Sequence, residues 1–273
     1  HPEQEVAHAN DDGRLQEAGG VVFADGSAWS YGRFESPQDP RYASLREADY
    51  CSGAALAIRR ELFGTVGGFD TRYAPAYYED TDLAFAVRAA GKRVLYQPAS
   101  RVLHLEGITS GTDLNAGAKA YQVRNRGVFE QKWRPVLSGH PGPDQTPSPA
   151  LLHAGQRQVL VVDETLPQPD RDSASLRQFN LLRMLVQAGA HVVFLCTDQA
   201  QAGNSLEKLR QLGVETWQAP FCPSPPAWLA THGRRFDVVM LCRHHLAAAV
   251  LPLVRRHAPQ ARVVLDTVDL HYL

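Results

Sequence analysis

The sequence predicts an α/β protein in two parts, and three observations carry that reading. Residues 138–150, SGHPGPDQTPSPA, hold Pro141, Pro143, Pro147 and Pro149 and almost nothing apolar. Such a stretch cannot build a core and favours extended backbone, so it reads as a linker. After it, short continuous apolar runs alternate with amphipathic helical stretches, the rhythm of a parallel, doubly wound sheet. Before it the pattern is different: a hairpin, isolated strand segments and two helices, with no repeat shared across the linker. The domain boundaries that follow are 1–137, a proline-rich linker over 138–157, and 158–273.

Bulk properties fit a globular chain and narrow its partners. The 273 residues are 44% hydrophobic and 21% charged, an ordinary globular composition. A net charge of -1 gives no bulk attraction to nucleic acid or to an anionic membrane. No apolar run approaches the roughly 20 residues of a membrane helix, and no signal peptide is visible. Cys51, Cys196, Cys222 and Cys242 lie far apart, three of them inside apolar stretches. They read as reduced, buried thiols of a cytoplasmic protein rather than as a disulfide framework or zinc site. The chain begins at His1 and ends on DTVDLHYL, which reads as a piece of something longer.

In the first part, GGVVFADGSAWSYG predicts a β-hairpin from Val21–Phe23, an Asp25-Gly26 turn, and a return strand bearing Trp29 and Tyr31. ADYCSGAALAIRRELF continues as an apolar strand through Ile58 and then a helical turn. GTVGGFDTRYAP is loop. A helix spans about Thr81 to Ala90, with Leu83, Phe85, Ala86, Val87 and Ala90 as its apolar stripe and Gly91 as its stop. KRVLYQP and SRVLHLEG are two short strand segments, and a helix from about Asn115 to Lys132 closes the unit.

In the second part, RQVLVVD, AHVVFLC, VETWQ, FDVVMLC and ARVVLD are strands. SASLRQFNLLRMLVQAG is an amphipathic helix capped by Ser173 or Ser175 and stopped by Gly189. NSLEKLRQLG and a stretch from about His244 to His257 supply further helices. The G-x-G-x-x-G fingerprint of dinucleotide-binding domains is absent from the first strand-to-helix turn.

The densest chemistry lies in APAYYEDTDLAFAVRAAG, residues 74–91, where Glu79, Asp80 and Asp82 follow two tyrosines and precede the helical stripe. Two readings are open. Asp80 is a plausible N-cap and Asp82 sits in the first turn, where the helix dipole favours anions. Equally, a carboxylate kept ionised at a helix start can accept a proton.

The stretches GRLQEAGGVVFADGSAWSYGR, DYCSGAALAIRRELFGTVGGFDTRYAPAYYEDTDLAFAVRAAGKRVLYQPASRVLHLEGITSG and YQVRNRGVFEQKW closely resemble the C-terminal half of family 2 glycosyltransferases. These are inverting, nucleotide-sugar-dependent enzymes of the GT-A fold. The resemblance covers about residues 13–135. It implies that Asp80 is the catalytic base that takes the proton from the acceptor hydroxyl. It implies that His104 helps to hold a divalent metal, Mg2+ or Mn2+, against the donor diphosphate. Glu79 and Asp82 would support the loop and the acceptor site, and Gly53 would let the sheet backbone approach the substrate. The donor-binding half and its Asp-x-Asp motif are missing: neither Asp11-Asp12 nor Asp163-Glu164 has the required context. The fragment alone is therefore expected to be inactive.

The second part resembles the N-terminal Rossmann-like half of a GT-B glycosyltransferase of the family 4 type, on QVLVVDETLPQPDRDSASLRQFNLLRMLVQAGAHVVFL and FDVVMLCRHHLAAAVLPLVRRHAPQARVVLDTVDLHYL. Asp172, Ser173 and Arg177 occupy the loop-to-helix position that faces the cleft in such enzymes, and Ser173 and Arg177 are the implied acceptor contacts. Ala174 stands where a glycine is frequent. His271 follows a strand and is either cleft-facing or an ordinary surface histidine.

Together the resemblances imply the junction of a bacterial polypeptide with tandem glycosyltransferases. Its partners would be a nucleotide-diphosphate sugar and a glycan or lipid-linked acceptor, with no nucleic acid. Its place would be the cytoplasm, with peripheral association at the inner membrane. Two rivals stand beside this reading: a non-catalytic acceptor-binding or scaffolding region, and a metal-dependent hydrolase built on Asp80, Asp82 and His104. No compact ligand motif such as H-x-x-x-H supports the second rival.

Overall fold

A computed structural model describes residues 5–9, 13–103, 120–198 and 203–267. The chain is α/β and divides into two compact units, with the main boundary between Leu152 and His153.

The first unit runs β1 (Glu5–Ala9), β2 (Leu15–Glu17), β3 (Gly20–Val22), β4 (Ala28–Ser30), β5 (Arg46–Glu47), α1 (Arg60–Thr65), α2 (Glu79–Ala89), β6 (Leu95–Leu103), α3 (Ala120–Leu137) and α4 (Pro149–Leu152). Its main sheet has the order β2-β1-β6-β5. β1 and β6 are parallel, and both outer pairings are antiparallel. β1 was not expected from the sequence. KRVLYQP and SRVLHLEG were expected as two segments, but Leu95–Leu103 form one strand. Its register against β1 slips, Val6 pairing with Gln97 and Ala7 with Arg101. Pro98 lies in the skipped stretch and has no N–H to give to a ladder.

The predicted hairpin is present as β3 and β4. Asp25 accepts from the Ser27 amide at 2.9 Å, and Gly26 takes φ +74°, the left-handed conformation that this turn requires. The apolar strand expected through Ile58 is not there. Tyr50 makes a single bridge to Gly20, and the backbone turns at Gly53. The reason is local. The Val22 amide bonds the Asp49 carboxylate at 2.9 Å, and the Ser52 and Gly53 amides bond two further carboxylates instead of a neighbouring strand.

Aromatic residues dominate this core: Tyr31, Tyr42, Tyr73, Tyr78, Tyr96, Phe85 and Phe129 are all buried. Phe129 of α3 packs on Tyr78 and on Phe85 at 5.3 and 4.9 Å between ring centres, contacts that each add to the burial energy of large rings. The start of the proline-rich stretch belongs to the same packing. His140 Nδ1 lies 2.8 Å from the Val22 carbonyl oxygen, its ring stacks on Phe85, and the Ala24 amide donates to the Pro141 carbonyl. Residues 143–146 are exposed.

The second unit runs β7 (Gln158–Asp163), α5 (Ser173–Gln187), β8 (His191–Cys196), α6 (Gly203–Leu212), β9 (Glu215–Trp217), α7 (Pro225–His232), β10 (Val238–Cys242), α8 (His244–His257) and β11 (Arg262–Asp266). Its five strands are all parallel in the order β11-β10-β7-β8-β9. Alternate residues of the central strands feed two cores. Leu160, Val162, Val193 and Leu195 pack with Trp228, Leu246 and Val250, whereas Val159, Val161, Val192 and Phe194 pack with Leu182 and Leu209. Both faces are covered, which is why these strands read as continuous apolar runs. α5 is capped by Asp172, which accepts from the Ser175 amide at 2.7 Å, and not by Ser173 or Ser175. α7 was not foreseen: Ser224 caps it and Pro225 opens it, a combination suited to a helix start.

Candidate active site

The carboxylate cluster opens α2, two residues earlier than a cap at Asp80 would give. Tyr78 is the N-cap residue, without a side-chain cap, and Glu79, Asp80 and Asp82 all lie in the first turn. Tyr77 and Tyr78 both have positive φ, 74° and 73°. Two consecutive non-glycine residues in that region cost about 1–3 kcal/mol each and persist only when neighbours enforce them.

Those neighbours come from α3. Asn125, fully buried, donates from Nδ2 to the carbonyls of Tyr73, Ala76 and Tyr77 at 2.7, 2.9 and 2.9 Å. Arg124 donates to the Ala74 carbonyl at 2.8 Å. The Tyr78 hydroxyl donates to the Gly26 carbonyl at 2.8 Å, tying the loop to the hairpin. Neither Asn125 nor Arg124 stood out in the sequence. The signal was an asparagine inside an otherwise helical run, where a side chain that competes for backbone groups is out of place unless it serves another segment.

The three carboxylates have separate environments. Asp82 is buried, and it accepts from Tyr73 Oη at 3.0 Å, Trp133 Nε1 at 2.7 Å and Lys132 Nζ at 2.7 Å. Lys132 also reaches Asp70 at 3.1 Å, so one ammonium clamps the Gly-Gly-Phe-Asp loop to α2. Asp82 is thus saturated by protein. Burial, with the Asp80 charge second, raises the Glu79 carboxyl above its ordinary pKa, and its Oε2 has no hydrogen-bond partner among the described residues.

Asp80 is different. It is half-buried and lines a pocket whose walls are otherwise mainly apolar, among them Leu56, Ile58, Leu83 and Val87, with Arg93 at its edge. Its Oδ1 accepts from the Thr81 amide and hydroxyl, and its Oδ2 accepts from the Gly53 amide at 2.8 Å. Oδ2 therefore keeps spare acceptor capacity. Gly53 does not lie in a sheet, as the sequence suggested, but in a turn, and its role is visible in what it meets. A Cβ there would touch Asp80 Cβ at 3.4 Å and Oδ2 at 3.5 Å. Without a side chain, Gly53 leaves that flank of the carboxylate uncovered.

A fourth acid, Glu17 of β2, joins them and was not singled out by the sequence. It is buried, accepts from the Ser52 amide at 3.0 Å and from Ser30 Oγ at 3.1 Å, and lies 3.5 Å from the Tyr50 hydroxyl. Burial first, and the Asp80 charge second, push its pKa up to about 7.

His104 lies outside the described residues, as do Asp11, Asp12 and His271. Among the described residues no group of three His, Cys, Asp or Glu side chains could hold a metal ion. These side chains do not by themselves form a ligand set.

In the second unit, Ser173 and Arg177 share one open face of α5 with Leu176, Asn180, Leu181 and Met184. Arg177 pairs with Asp266 at the end of β11 at 2.7 Å. Beside it, at the carboxyl ends of β7 and β10, Asp163 accepts from Gln178 at 2.8 Å and from Arg243 at 2.9 Å. The strand order reverses between β7 and β10, where open parallel sheets bind ligands. All four cysteines are buried, and none of them forms a disulfide. No described helix is long and apolar enough to cross a membrane.

Comparison with known proteins gives partial matches. No protein-family model and no solved structure matches the chain. Seventy residues, 26% of the chain, are 43% identical to N-acetylglucosaminyl-diphospho-decaprenol L-rhamnosyltransferase of Mycobacterium tuberculosis, covering 22% of that protein. A 77-residue stretch is 36% identical to a galactofuranosyl glycosyltransferase of Leishmania donovani, covering 28% of this chain and 16% of that one. A 128-residue stretch is 28% identical to an uncharacterised protein of Sinorhizobium fredii, covering 45% and 14% respectively. The matched stretches thus span less than a quarter of each relative.

Proposed function

We propose that the first unit is the acceptor-side half of a GT-A glycosyltransferase that moves a sugar from a nucleotide-diphosphate donor to a hydroxyl of a glycan or lipid-linked acceptor. The observation that carries this reading is Asp80, a half-buried carboxylate with one open oxygen, held on a fixed turn beside a pocket. Similarity to two named glycosyltransferases supports it. In the reaction, the acceptor oxygen attacks the anomeric carbon and its proton passes to Asp80 Oδ2. The bond from that carbon to the diphosphate oxygen breaks, and its electron pair leaves with the nucleoside diphosphate. Attack opposite the leaving group inverts the anomeric centre. The divalent cation of the resemblance, with His104 as one ligand, would neutralise charge on the departing diphosphate.

The second unit, with Ser173 and Arg177 on one face, is on the same proposal the acceptor-side half of a second, GT-B transferase. Its parallel sheet supports that assignment. The full-length protein would then be bifunctional and act at the cytoplasmic side of the membrane.

The test is nucleoside diphosphate release by the full-length protein from a panel of nucleotide sugars, with and without glycan acceptors. Acceptor-stimulated release that Asp80→Asn abolishes is the expected result. Acceptor binding without release would favour a scaffolding region, and acceptor-independent release would favour a hydrolase.

A further inference from the structure

We propose that Glu17 is a positioning residue for Asp80, acting through the turn that the two carboxylates grip between them. Glu17 Oε1 takes the Ser52 amide at 3.0 Å, and Asp80 Oδ2 takes the next amide, Gly53, at 2.8 Å. One carboxylate comes from β2 and the other from α2, and each grips one of two adjacent N–H groups. The turn is therefore anchored from the sheet side by Glu17, and it delivers the Gly53 amide to Asp80 from a fixed direction. Without that anchor the turn can rotate, and the oxygen assigned to receive the acceptor proton loses its orientation. This inference rests on the assignment of Asp80 given above.

The surroundings of Glu17 show why it serves this purpose and not the chemistry. It is 6% exposed and is not among the residues lining the Asp80 pocket. The groups around it are Ser30 of β4, Tyr50 and Ser52 of the connecting segment, Asp80 of α2 and Tyr96 of β6. The cation in this region, Arg46 of β5, is turned to the Ala18 carbonyl and stacks over Tyr31 and Tyr96. Glu17 is held by hydrogen-bond donors, the Ser52 amide and the Ser30 and Tyr50 hydroxyls. Ionising it places a second negative charge next to Asp80, whose charge already acts on it. With its pKa pushed up to about 7 by burial and then by the Asp80 charge, Glu17 takes on that negative charge as the pH rises through 7.

Carboxyl-carbon NMR on this chain tests the coupling without a substrate. The Glu17 Cδ resonance should titrate with a midpoint near 7, and the Asp80 Cγ resonance should show a step at the same pH. In Glu17→Gln, which can still accept the Ser52 amide, the step at Asp80 should vanish while the fold and the Ser52 amide protection remain. In Glu17→Ala, protection of both the Ser52 and Gly53 amides should fall at least tenfold. An Asp80 resonance with no step near pH 7, or unchanged Gly53 exchange in Glu17→Ala, overturns the proposal.

In the full-length enzyme, Glu17→Ala should lower kcat at least tenfold with little change in donor KM. Glu17→Gln should restore kcat at pH 6 and lose the rise in kcat/KM through pH 7. If Asp80→Asn leaves turnover intact, the assignment of Asp80 fails. If Asp80→Asn abolishes turnover and the Glu17 variants behave as wild type, only the positioning role fails.

Discussion

Lys132 Nζ lies 2.7 Å from Asp82 Oδ2 and 3.1 Å from Asp70 Oδ2, so one side chain of α3 joins the two acidic motifs that the sequence displays most openly. Asp82 has almost no exposed side chain, and Lys132 is itself 28% exposed. Removing the ammonium strands a buried charge, which costs about 3–5 kcal/mol in fully buried pairs and falls toward the lower end here because Lys132 is partly wet. Lys132→Met is expected to lower the unfolding free energy of the first unit by about 3 kcal/mol. Asp82→Asn should cost less, because Lys132 keeps Asp70. Urea unfolding of both variants checks the order, and equal losses would contradict the clamp.

Asn125 supports three carbonyls of the strained loop. Asn125→Ala leaves them without their donor, at an expected cost of about 2–3 kcal/mol. Asn125→Asp should be no better, since an ionised carboxylate cannot donate. Arg124→Ala, at an exposed position, should cost under about 1 kcal/mol. Thermal melts would separate the three variants, and a silent Asn125→Ala would mean that the loop holds itself.

The second unit carries a buried acid of the opposite kind to Glu17. Burial alone would raise the Glu215 carboxyl, but Arg235 at 2.6 Å and His191 at 3.2 Å hold it well below the ordinary value of 4.5. Its folded pKa is depressed, so its stabilisation is present above about pH 4.5 and is lost as pH falls through the folded value. Amide exchange of β8 and β9 should therefore accelerate steeply in acid. Glu215→Gln should remove that acid dependence and lower protection at pH 7. A variant with unchanged acid sensitivity would place the titrating group elsewhere.

The sequence was most legible where burial is symmetric. β7, β8 and β10 carry apolar residues on both faces, and their parallel pairing follows from that pattern. It misled where side chains outbid the ladder. The run from Tyr50 to Ile58 looks like a strand by composition, yet its amides at Ser52 and Gly53 bond Glu17 and Asp80, carboxylates 35 and 27 residues away in the chain. Periodicity cannot see such partners. The cluster at 79–82 was visible as charge, but the division of labour within it was not. Asp82 and Asp80 are two residues apart, and only their contacts with α3 and with the Gly53 turn distinguish a saturated strut from an acid with an open oxygen.

The proline-rich stretch is only partly free. His140 and Pro141 are held by Val22, Ala24 and Phe85, whereas residues 143–146 are exposed. Limited proteolysis should therefore cut between about 142 and 148, exposed backbone being the preferred site of nicking. Mass spectrometry of the products locates the cut. Cleavage at 138–140 would contradict the packing of His140.

The central claim is that Asp80 accepts the acceptor's proton, and turnover of full-length Asp80→Asn tests it most directly. The substitution keeps size, but its one acceptor oxygen can hold either the Gly53 amide or the Thr81 amide, so one of these contacts is lost. The fold, checked by circular dichroism, and donor affinity should match wild type. Turnover should fall by about 10² to 10⁴, the usual contribution of a positioned general base. A folded Asp80→Asn protein that transfers sugar at the wild-type rate would show that the carboxylates at 79–82 only build a helix start.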